Sequence, residues 1–260
     1  MKRLALALCF AASLSAAART DLAGASALYT QGRYADASAA FEQIARTEPE
    51  SAVVLFHLGK LAVHGHDYAA AIERLTRAAA LAPNDAAITL WLGNAHAWSA
   101  SVSEGLTARV SHGRKALALY RRAVALDPEN VPARFALMNF YRHVPAMLGG
   151  GLDRAYREAG EIARRDATAG AYARALLSFH EQKFSVAYDT LELLLEKSPD
   201  HYGANFLLGR LAAASRQHCA EGRASLQRCL RLTPTENDDP HADARALLAQ
   251  LEAPEVAAKK

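Results

Sequence analysis

Apolar residues recur every three or four positions along most of the chain, which is the spacing of one face of an α-helix. In the stretch from Ala52 to Asp85, for example, Leu55, Leu58 and Ala62 share one predicted helical face, and a polar turn separates them from a second such face. The pattern predicts an all-α protein, because no stretch alternates as a strand would. The thirteen predicted helices span residues 21–31, 34–47, 51–65, 68–81, 85–102, 107–126, 130–143, 152–166, 168–181, 184–197, 201–216, 219–232 and 239–252.

Prolines divide this pattern into units of similar length. Five prolines each follow an apolar helical segment, and their spacings of 34, 45, 71 and 35 residues indicate a 34-residue unit with insertions. A proline cannot continue the helix that precedes it, so each of the five closes a unit. They are Pro49, Pro83, Pro128, Pro199 and Pro234.

The units resemble the tetratricopeptide repeat, a helix-turn-helix motif of 34 residues. The resemblance rests on a small residue at the eighth position, an aromatic one at the seventeenth, an alanine at the twentieth and a closing proline. It implies a right-handed α-solenoid of about six repeats over residues 19–252, with a C-terminal capping helix and a flexible tail over 253–260. The family's opening tryptophan is missing throughout, and the fourth unit lacks its closing proline. The matching residues include Gly32, Tyr34, Ala37, Phe41, Gly59, Tyr68, Ala71, Leu92, Gly93, Ala116, Tyr120, Ala123, Phe184, Ala187, Leu191, Leu208 and Gly209.

Two neighbouring units carry insertions, near residues 97–114 and 143–152, each in the turn between the first and second helix of its unit. We expect the two to emerge side by side on one edge of the stack. Insertions on one face of a repeat protein often form its binding face, although a neutral surface loop fits the same sequence. The candidate loop edge comprises Pro145, Met147, Leu148, Gly149, Gly150 and Gly151.

The resemblance also implies which side chains line the concave groove: those at the second, fifth, ninth, twelfth and thirteenth positions of each first helix. Aromatic rings there could bury apolar groups, asparagine amides could bond an extended backbone, and cations would favour acidic groups. The rings could instead only pack between helices, whereas an asparagine is costly in a core. The candidate groove residues are Phe56, Lys60, His64, Asn94, Trp98, Phe135, Asn139, Arg142, His143, Tyr172, Phe179, His180, Phe206 and Arg210. The family's carboxylate clamp is not expected, because its cationic positions hold Phe, Leu, His and Trp.

The first 18 residues have the layout of a cleavable secretory signal. Lys2 and Arg3 precede an apolar run from Leu4 to Leu14, which is too short to span a bilayer, and small residues end at Ala18. We therefore expect cleavage near Ala18, a periplasmic location and no transmembrane segment in the mature chain; the alternative is a buried first helix. Residues 1–18 hold two of the 30 Lys and Arg and none of the 27 Asp and Glu, so the remaining chain has a net charge of +1. That balance weighs against nucleic-acid binding.

No set of residues predicts a reaction. Hydrolase, zinc-protease and phosphate-loop motifs are all missing from the sequence, so we expect no enzyme, no cofactor and no complete metal-ligand set. The predicted function is a non-catalytic adaptor of the bacterial cell envelope that binds a peptide or helix of a partner protein in the groove. The alternative is a small-molecule or metal-ligand binding protein, for example one associated with a transporter, that uses the groove histidines His64, His143 and His180 together with the loop edge.

Overall fold

The chain has the predicted all-α helical repeat fold in a computed structural model that describes residues 22–236 and 238–252. Thirteen α-helices and one short 3-10 helix account for the regular structure of these residues, and none of them forms a strand. The helices are α1 (22–30), α2 (Tyr34–Thr47), α3 (Ala52–His64), α4 (Tyr68–Leu81), α5 (Ala86–Val102), α6 (Leu106–Leu126), α7 (Val131–His143), α8 (Leu152–Arg165), α9 (Ala167–His180), α10 (Phe184–Lys197), α11 (Tyr202–Ser215), α12 (Cys219–Cys229) and α13 (His241–Glu252), and the 3-10 helix is Ala146–Leu148.

The predicted helix bounds differ from the observed ones by at most three residues, and the largest difference is at the end of α12, which stops at Cys229. Three helix starts are fixed by aspartate side chains. Asp67, Asp85 and Asp166 each accept a hydrogen bond from the backbone N–H three residues further on. Such caps give a partner to N–H groups that the first turn of a helix leaves unpaired, which makes these starts readable from the sequence.

The predicted signal over residues 1–18, its cleavage near Ala18 and the predicted flexible tail over 253–260 lie outside the described residues. All three stay predictions. Of the helices that the structure does describe, none combines the length and the apolar character needed to cross a membrane.

The chain divides into two compact units within α7, and the first unit ends at Ala136. In this unit α3 pairs with α4 and α5 with α6, and each pair closes around a glycine. A Cβ atom added to Gly59 would lie 2.5 Å from the Leu75 side chain, and one added to Gly93 would lie 2.7 Å from the Tyr120 ring. A larger residue does not fit at either place, which is why the eighth position of the repeat holds a small one.

The second unit begins at Leu137, and within its described residues the last helix is not followed by a second one. This helix, α13, packs on both α11 and α12, where Ala244 and Leu251 are buried. It occupies the place predicted for a capping helix. Within the pair α11–α12, a Cβ atom on Gly209 would lie 2.3 Å from the Leu226 side chain, so the close approach seen in the first unit recurs.

The insertion in the third repeat lengthens its two helices. The helix α5 has 17 residues and α6 has 21, against 13 and 14 in α3 and α4, which accounts for all 11 extra residues. The added turns lie after Gly93 on α5 and before Tyr120 on α6. They therefore lengthen each helix at the end where the turn joins the two helices. We call this two-helix hairpin, residues 97–115, the α5–α6 extension.

The insertion in the fourth repeat is a compact turn over residues 144–151. Gly149 and Gly151 have φ angles of +96° and +114°, which glycine adopts far more readily than other residues. Gly150 is buried, and a Cβ atom on it would lie 1.8 Å from the carbonyl oxygen of Val144. The three consecutive glycines are therefore required by the geometry of this turn.

The junction between α8 and α9 consists of a single residue, Asp166, which ends one helix and caps the next. By contrast, residues 82–85 separate α4 from α5. The short junction leaves no room for a closing proline, which explains why the fourth repeat lacks one. The two helices come so close that a Cβ atom on Gly170 would lie 2.3 Å from the Cβ atom of Ala163.

Candidate functional site

The predicted groove residues fall into two sets, one in each unit. Those of the first unit lie on α3, α5 and the first half of α7. Those of the second unit lie on the second half of α7, on α9 and on α11. Seven residues of the second set form what we call the second-unit face: Asn139, Arg142, His143, Tyr172, Phe179, His180 and Arg210.

Lys60, in the first unit, lies within a cage of aromatic rings and is only 7% exposed. Its Nζ atom is 4.3 Å from the centroid of the Tyr29 ring, 4.7 Å from that of Trp91 and 5.5 Å from that of Phe56. Aromatic faces attract a desolvated cation by about 2 kcal/mol. The rings of α1, α3 and α5 thus hold this cation inside the unit, where little of it is available to a ligand.

His64 belongs to the same aromatic cluster. Its Nε2 atom lies 3.0 Å from the Tyr29 hydroxyl, and its ring stacks on Tyr34 with a centroid distance of 4.3 Å. The side chain therefore joins α1, α2 and α3. In this position the histidine contributes to the packing of the first unit.

Asn94 and Trp98, both on α5, have different surroundings. The Oδ1 atom of Asn94 accepts a hydrogen bond of 3.0 Å from the Tyr120 hydroxyl, whose pKa is raised by burial. This amide therefore serves the pairing of α5 with α6. Trp98 stacks on Tyr68 at 6.5 Å but remains 53% exposed, and Phe135 is half-buried on α7.

Two buried polar atoms of the second-unit face have no hydrogen-bond partner, and both belong to α7. They are Oδ1 of Asn139 and Nε of Arg142, one helical turn apart. The other guanidinium nitrogens of Arg142 are engaged: Nη1 lies 3.4 Å from the Leu176 carbonyl oxygen and Nη2 lies 3.0 Å from Nε2 of His143. Leaving a buried polar atom unpaired costs about 1–3 kcal/mol, so both atoms mark hydrogen-bonding capacity that the protein itself leaves unused.

The α7 end of the second-unit face is cationic. The His143 and His180 rings lie 5.3 Å apart. Burial, followed by electrostatic interactions with Arg142, His180 and Arg210, lowers the pKa of His143 to about 4. Burial is also the main reason that the pKa of Arg142 is lowered. Among the described residues, no carboxylate contributes to either pKa shift.

The α11 end of the face is more mixed. The Arg210 guanidinium lies 5.1 Å above the Phe179 ring. The pKa of Tyr172 is raised first by burial and then by Asp239 and Asp238. Burial also raises the pKa of Asp239, while Arg210 acts in the opposite direction. The face therefore has a cation at each end, Arg142 on α7 and Arg210 on α11, and two aspartates lie near the α11 end.

Phe206 is placed differently from its predicted position in the groove. It is 3% exposed and packs in the core between α11, α12 and α13, with Tyr202, Leu226 and Cys229. The Phe206 ring therefore only packs between helices, which was the alternative to a groove position, and its side chain offers no surface to a ligand.

The loop edge is a fixed turn that displays two apolar side chains. The Gly151 N–H donates a hydrogen bond to the Tyr141 carbonyl oxygen, and Arg154 Nη1 donates one of 2.6 Å to the Gly149 carbonyl oxygen. On this turn Pro145 is exposed, Met147 is 90% exposed and Leu148 is 41% exposed. That the turn lies beside the α5–α6 extension stays a prediction.

A histidine pair that sequence analysis missed closes the base of the α5–α6 extension. The Nδ1 atoms of His96 and His112 are 2.9 Å apart, and His96 is 6% exposed. Burial, followed by the charges of His112 and Lys115, lowers the pKa of His96 to about 4. The available signal was that both histidines lie about eight residues from the middle of the turn, one on each side.

In the described part of the chain, no three His, Cys, Asp or Glu side chains form a group able to hold a metal ion. At the second-unit face, the His143 Nε2 atom lies 3.0 Å from the Arg142 guanidinium. A permanent cation so close disfavours the binding of a metal cation at this histidine.

A family model described as tetratricopeptide repeat matches residues 22–86 and 56–99. No curated protein matches the sequence. Among solved structures, a tetratricopeptide-repeat protein of Thermus thermophilus is 21% identical with a TM-score of 0.64, and the match covers 76% of this chain and 98% of that one.

Two further structures have a similar fold. A tetratricopeptide-repeat protein of Parabacteroides merdae is 12% identical with a TM-score of 0.50, and the match covers 91% of this chain and 99% of that one. A chain of the Cut9–Hcn1 hetero-tetramer of the APC/C is 15% identical with a TM-score of 0.62, covering 90% of this chain and 42% of that one. At these identities the likeness shows the fold.

Proposed function

We propose that this chain is a non-catalytic adaptor, because residues 22–99 match a tetratricopeptide-repeat family model and this fold generally serves as a scaffold for protein–protein interaction. Its ligand is an extended segment of a partner protein, bound on the second-unit face. In the first unit, Lys60, His64 and Asn94 contact aromatic side chains of that same unit. Their role is therefore structural.

The observation that carries this proposal is the pair of unpartnered atoms on α7. An extended peptide offers an N–H donor and a C=O acceptor at every residue. A backbone N–H can pair with Oδ1 of Asn139, and a carbonyl or carboxylate oxygen can pair with Nε of Arg142. Binding that turns these half-buried side chains toward the ligand removes the cost of two unpaired groups.

The charges favour an acidic segment. Arg142 carries a permanent charge at the α7 end, and Arg210 is near enough to affect the pKa of both Arg142 and His143. A carboxylate there would form charge-assisted hydrogen bonds, which are about twice as strong as neutral ones. The aspartates near α11 would orient the segment, because they repel an acidic residue at that end.

We place this adaptor in the bacterial cell envelope on the strength of the signal-like residues 1–18. Sequencing the N-terminus of the protein purified from cells tests this part alone. A start near residue 19 is expected. A start at Met1 would remove the envelope from the proposal and leave the adaptor function standing.

Site-specific photo-crosslinking in cells tests the adaptor function. A photoreactive residue at Phe179, on the second-unit face, is expected to capture one defined partner. The same residue at Tyr188, which is half-buried on the second helix of its pair, serves as the matched control and should capture none. Mass spectrometry then identifies the crosslinked segment of the partner.

A synthetic peptide of that segment completes the test. It should bind the purified protein, compete with the partner and bind at least tenfold more weakly to Arg142→Gln with an unchanged circular dichroism spectrum. Equal capture at both positions, or equal peptide binding by the variant, would rule out the second-unit face as the binding site.

A further inference from the structure

Three apolar side chains of the α5–α6 extension, which we call the apolar tip, are exposed, from Trp98 near the base, where it also stacks on Tyr68, to Leu106 after the turn. Trp98 is 53% exposed, Val102 is 60% exposed and Leu106 is 73% exposed. Trp98 and Val102 lie one turn apart on α5, and Leu106 begins α6 directly after the turn. Scattered exposed apolar residues are normal, but a cluster at the end of one element indicates a contact.

Basic side chains surround this apolar tip. The extension, residues 97–115, contains Arg109, Arg114 and Lys115 but a single carboxylate, Glu104. All four charged side chains are exposed. The segment thus has a net charge of +2, although the whole chain without residues 1–18 has only +1.

The apolar and basic positions share one side of α6. Leu106 and Val110 line a shallow groove together with Arg114 and Lys115. This arrangement places cations next to apolar groups on a helix, as in segments that lie at the interface of a membrane.

The small apolar area and its basic neighbours favour an anionic membrane over a protein partner. Three exposed side chains offer far less surface than the roughly 800 Å² that each partner of a stable protein complex buries. We infer that the α5–α6 extension docks by Trp98, Val102 and Leu106 on a membrane surface that carries anionic headgroups.

The chemistry of each side chain suits that surface. Tryptophan prefers the boundary between headgroups and acyl chains. A basic residue near an anionic bilayer contributes about 1 kcal/mol to the free energy of binding. The three basic residues therefore add an electrostatic attraction to the contribution of the small apolar tip. The His96–His112 contact joins the two helices at the base of the extension, which presents the tip as one rigid piece.

Tryptophan fluorescence reports this docking directly, because the chain has two tryptophans and Trp91 is buried at 9% exposure. The full chain is mixed with vesicles of equal parts phosphatidylcholine and phosphatidylglycerol that contain a lipid-borne quencher. We expect a blue shift and quenching of Trp98. Vesicles of phosphatidylcholine alone should give at least tenfold weaker quenching, and Trp98→Phe should remove the signal.

Two variants separate the apolar and the basic contributions. Val102→Ser with Leu106→Ser should weaken the quenching at least tenfold, and Arg109→Gln with Arg114→Gln and Lys115→Gln should abolish the preference for phosphatidylglycerol. The matched control is Val186→Ser with Leu193→Ser on α10, two apolar residues with 53% and 59% exposure, which should change nothing. If the double variant at the tip does not fold, Leu106→Ser alone is used.

Several results would overturn the inference. One is a Trp98 emission that anionic vesicles leave unchanged, and another is equal quenching by both kinds of vesicle. A third is self-association in analytical ultracentrifugation that the tip variants abolish, since it would assign the tip to a second copy of the chain. This docking is independent of the second-unit face, so Arg142→Gln should leave it intact.

Discussion

Lys60 and Arg142 are two cations on first helices of the repeat, and the structure treats them in opposite ways. Lys60 is enclosed by the Tyr29, Phe56 and Trp91 rings of its own unit. Arg142 lies beside other cations and keeps its Nε atom unpaired. The difference teaches that a charged residue at a groove position indicates a ligand only where its own unit leaves its hydrogen-bonding capacity unused.

The largest expected effect concerns Lys60. Lys60→Ala removes a buried alkyl stem and the attraction of three rings, so the free energy of unfolding should fall by about 4 kcal/mol. Chemical denaturation followed by circular dichroism measures it. Lys60→Met keeps the stem and should cost less than half as much; a loss below about 1 kcal/mol for the alanine variant would show that the cage is not structural.

Acid should weaken the first unit through His96, whose pKa is about 4 in the folded protein against an ordinary value of 6.5. The folded state disfavours the protonated ring. The free energy of unfolding is therefore highest above pH 6.5, where the ring is neutral in both states, and it falls as the pH drops toward 4. The free energy of unfolding should drop by up to about 3 kcal/mol across that window. Denaturation at pH 7 and pH 4 measures it.

The exposed His66 on the α3–α4 turn provides the control for this acid effect. His96→Gln should remove most of the pH dependence, whereas His66→Asn should retain it. Equal acid sensitivity in both variants would show that His96 is not responsible.

Arg142→Gln should act on binding rather than on stability. The variant loses the unpaired Nε group together with the bonds of the guanidinium, so the free energy of unfolding should change by less than about 1 kcal/mol. Binding of an acidic peptide should weaken about tenfold, as titration calorimetry would show. Arg174→Gln, at an exposed position of α9, is the control; a large stability loss at Arg142 would make this cation structural like Lys60.

The smallest expected effect is the pH dependence of that binding. In the free protein burial and neighbouring cations lower the pKa of His143 to about 4. A bound carboxylate raises this pKa, so the complex takes up a proton and the peptide should bind a few-fold more tightly at pH 5 than at pH 7. Fluorescence anisotropy measures it, and His143→Gln should give a flat profile.

Most of the fold could be predicted because it is encoded locally. Apolar periodicity predicted each helix, and prolines marked the ends of the repeats; the structure adds that Asp67, Asp85 and Asp166 cap three helix starts. The end of α12 at Cys229 was less accurate, since no proline or glycine follows it directly. The 11 extra residues of the third repeat could be counted from the proline spacing, but only the structure shows that they lengthen α5 and α6.

The candidate site was less accessible to sequence reasoning, because it depends on contacts between distant residues. The Asn94 amide looked available for a ligand until the Tyr120 hydroxyl was found bonded to it across the helix pair. Phe206 occupies a groove position of the repeat, yet the capping helix α13 contributes to the core that covers it. The unpaired Nε atom of Arg142 also depends on three-dimensional packing and has no signature in the sequence.

The one-residue junction at Asp166 has a consequence for how the chain resists digestion. A protease cuts a segment only after drawing it out of regular structure, and Arg164 and Arg165 stand directly before this junction. Pulling them free unwinds the last turn of α8 and the first turn of α9 together and separates Gly170 from Ala163. Trypsin therefore meets two consecutive arginines in the middle of the chain that stay protected until the second unit opens.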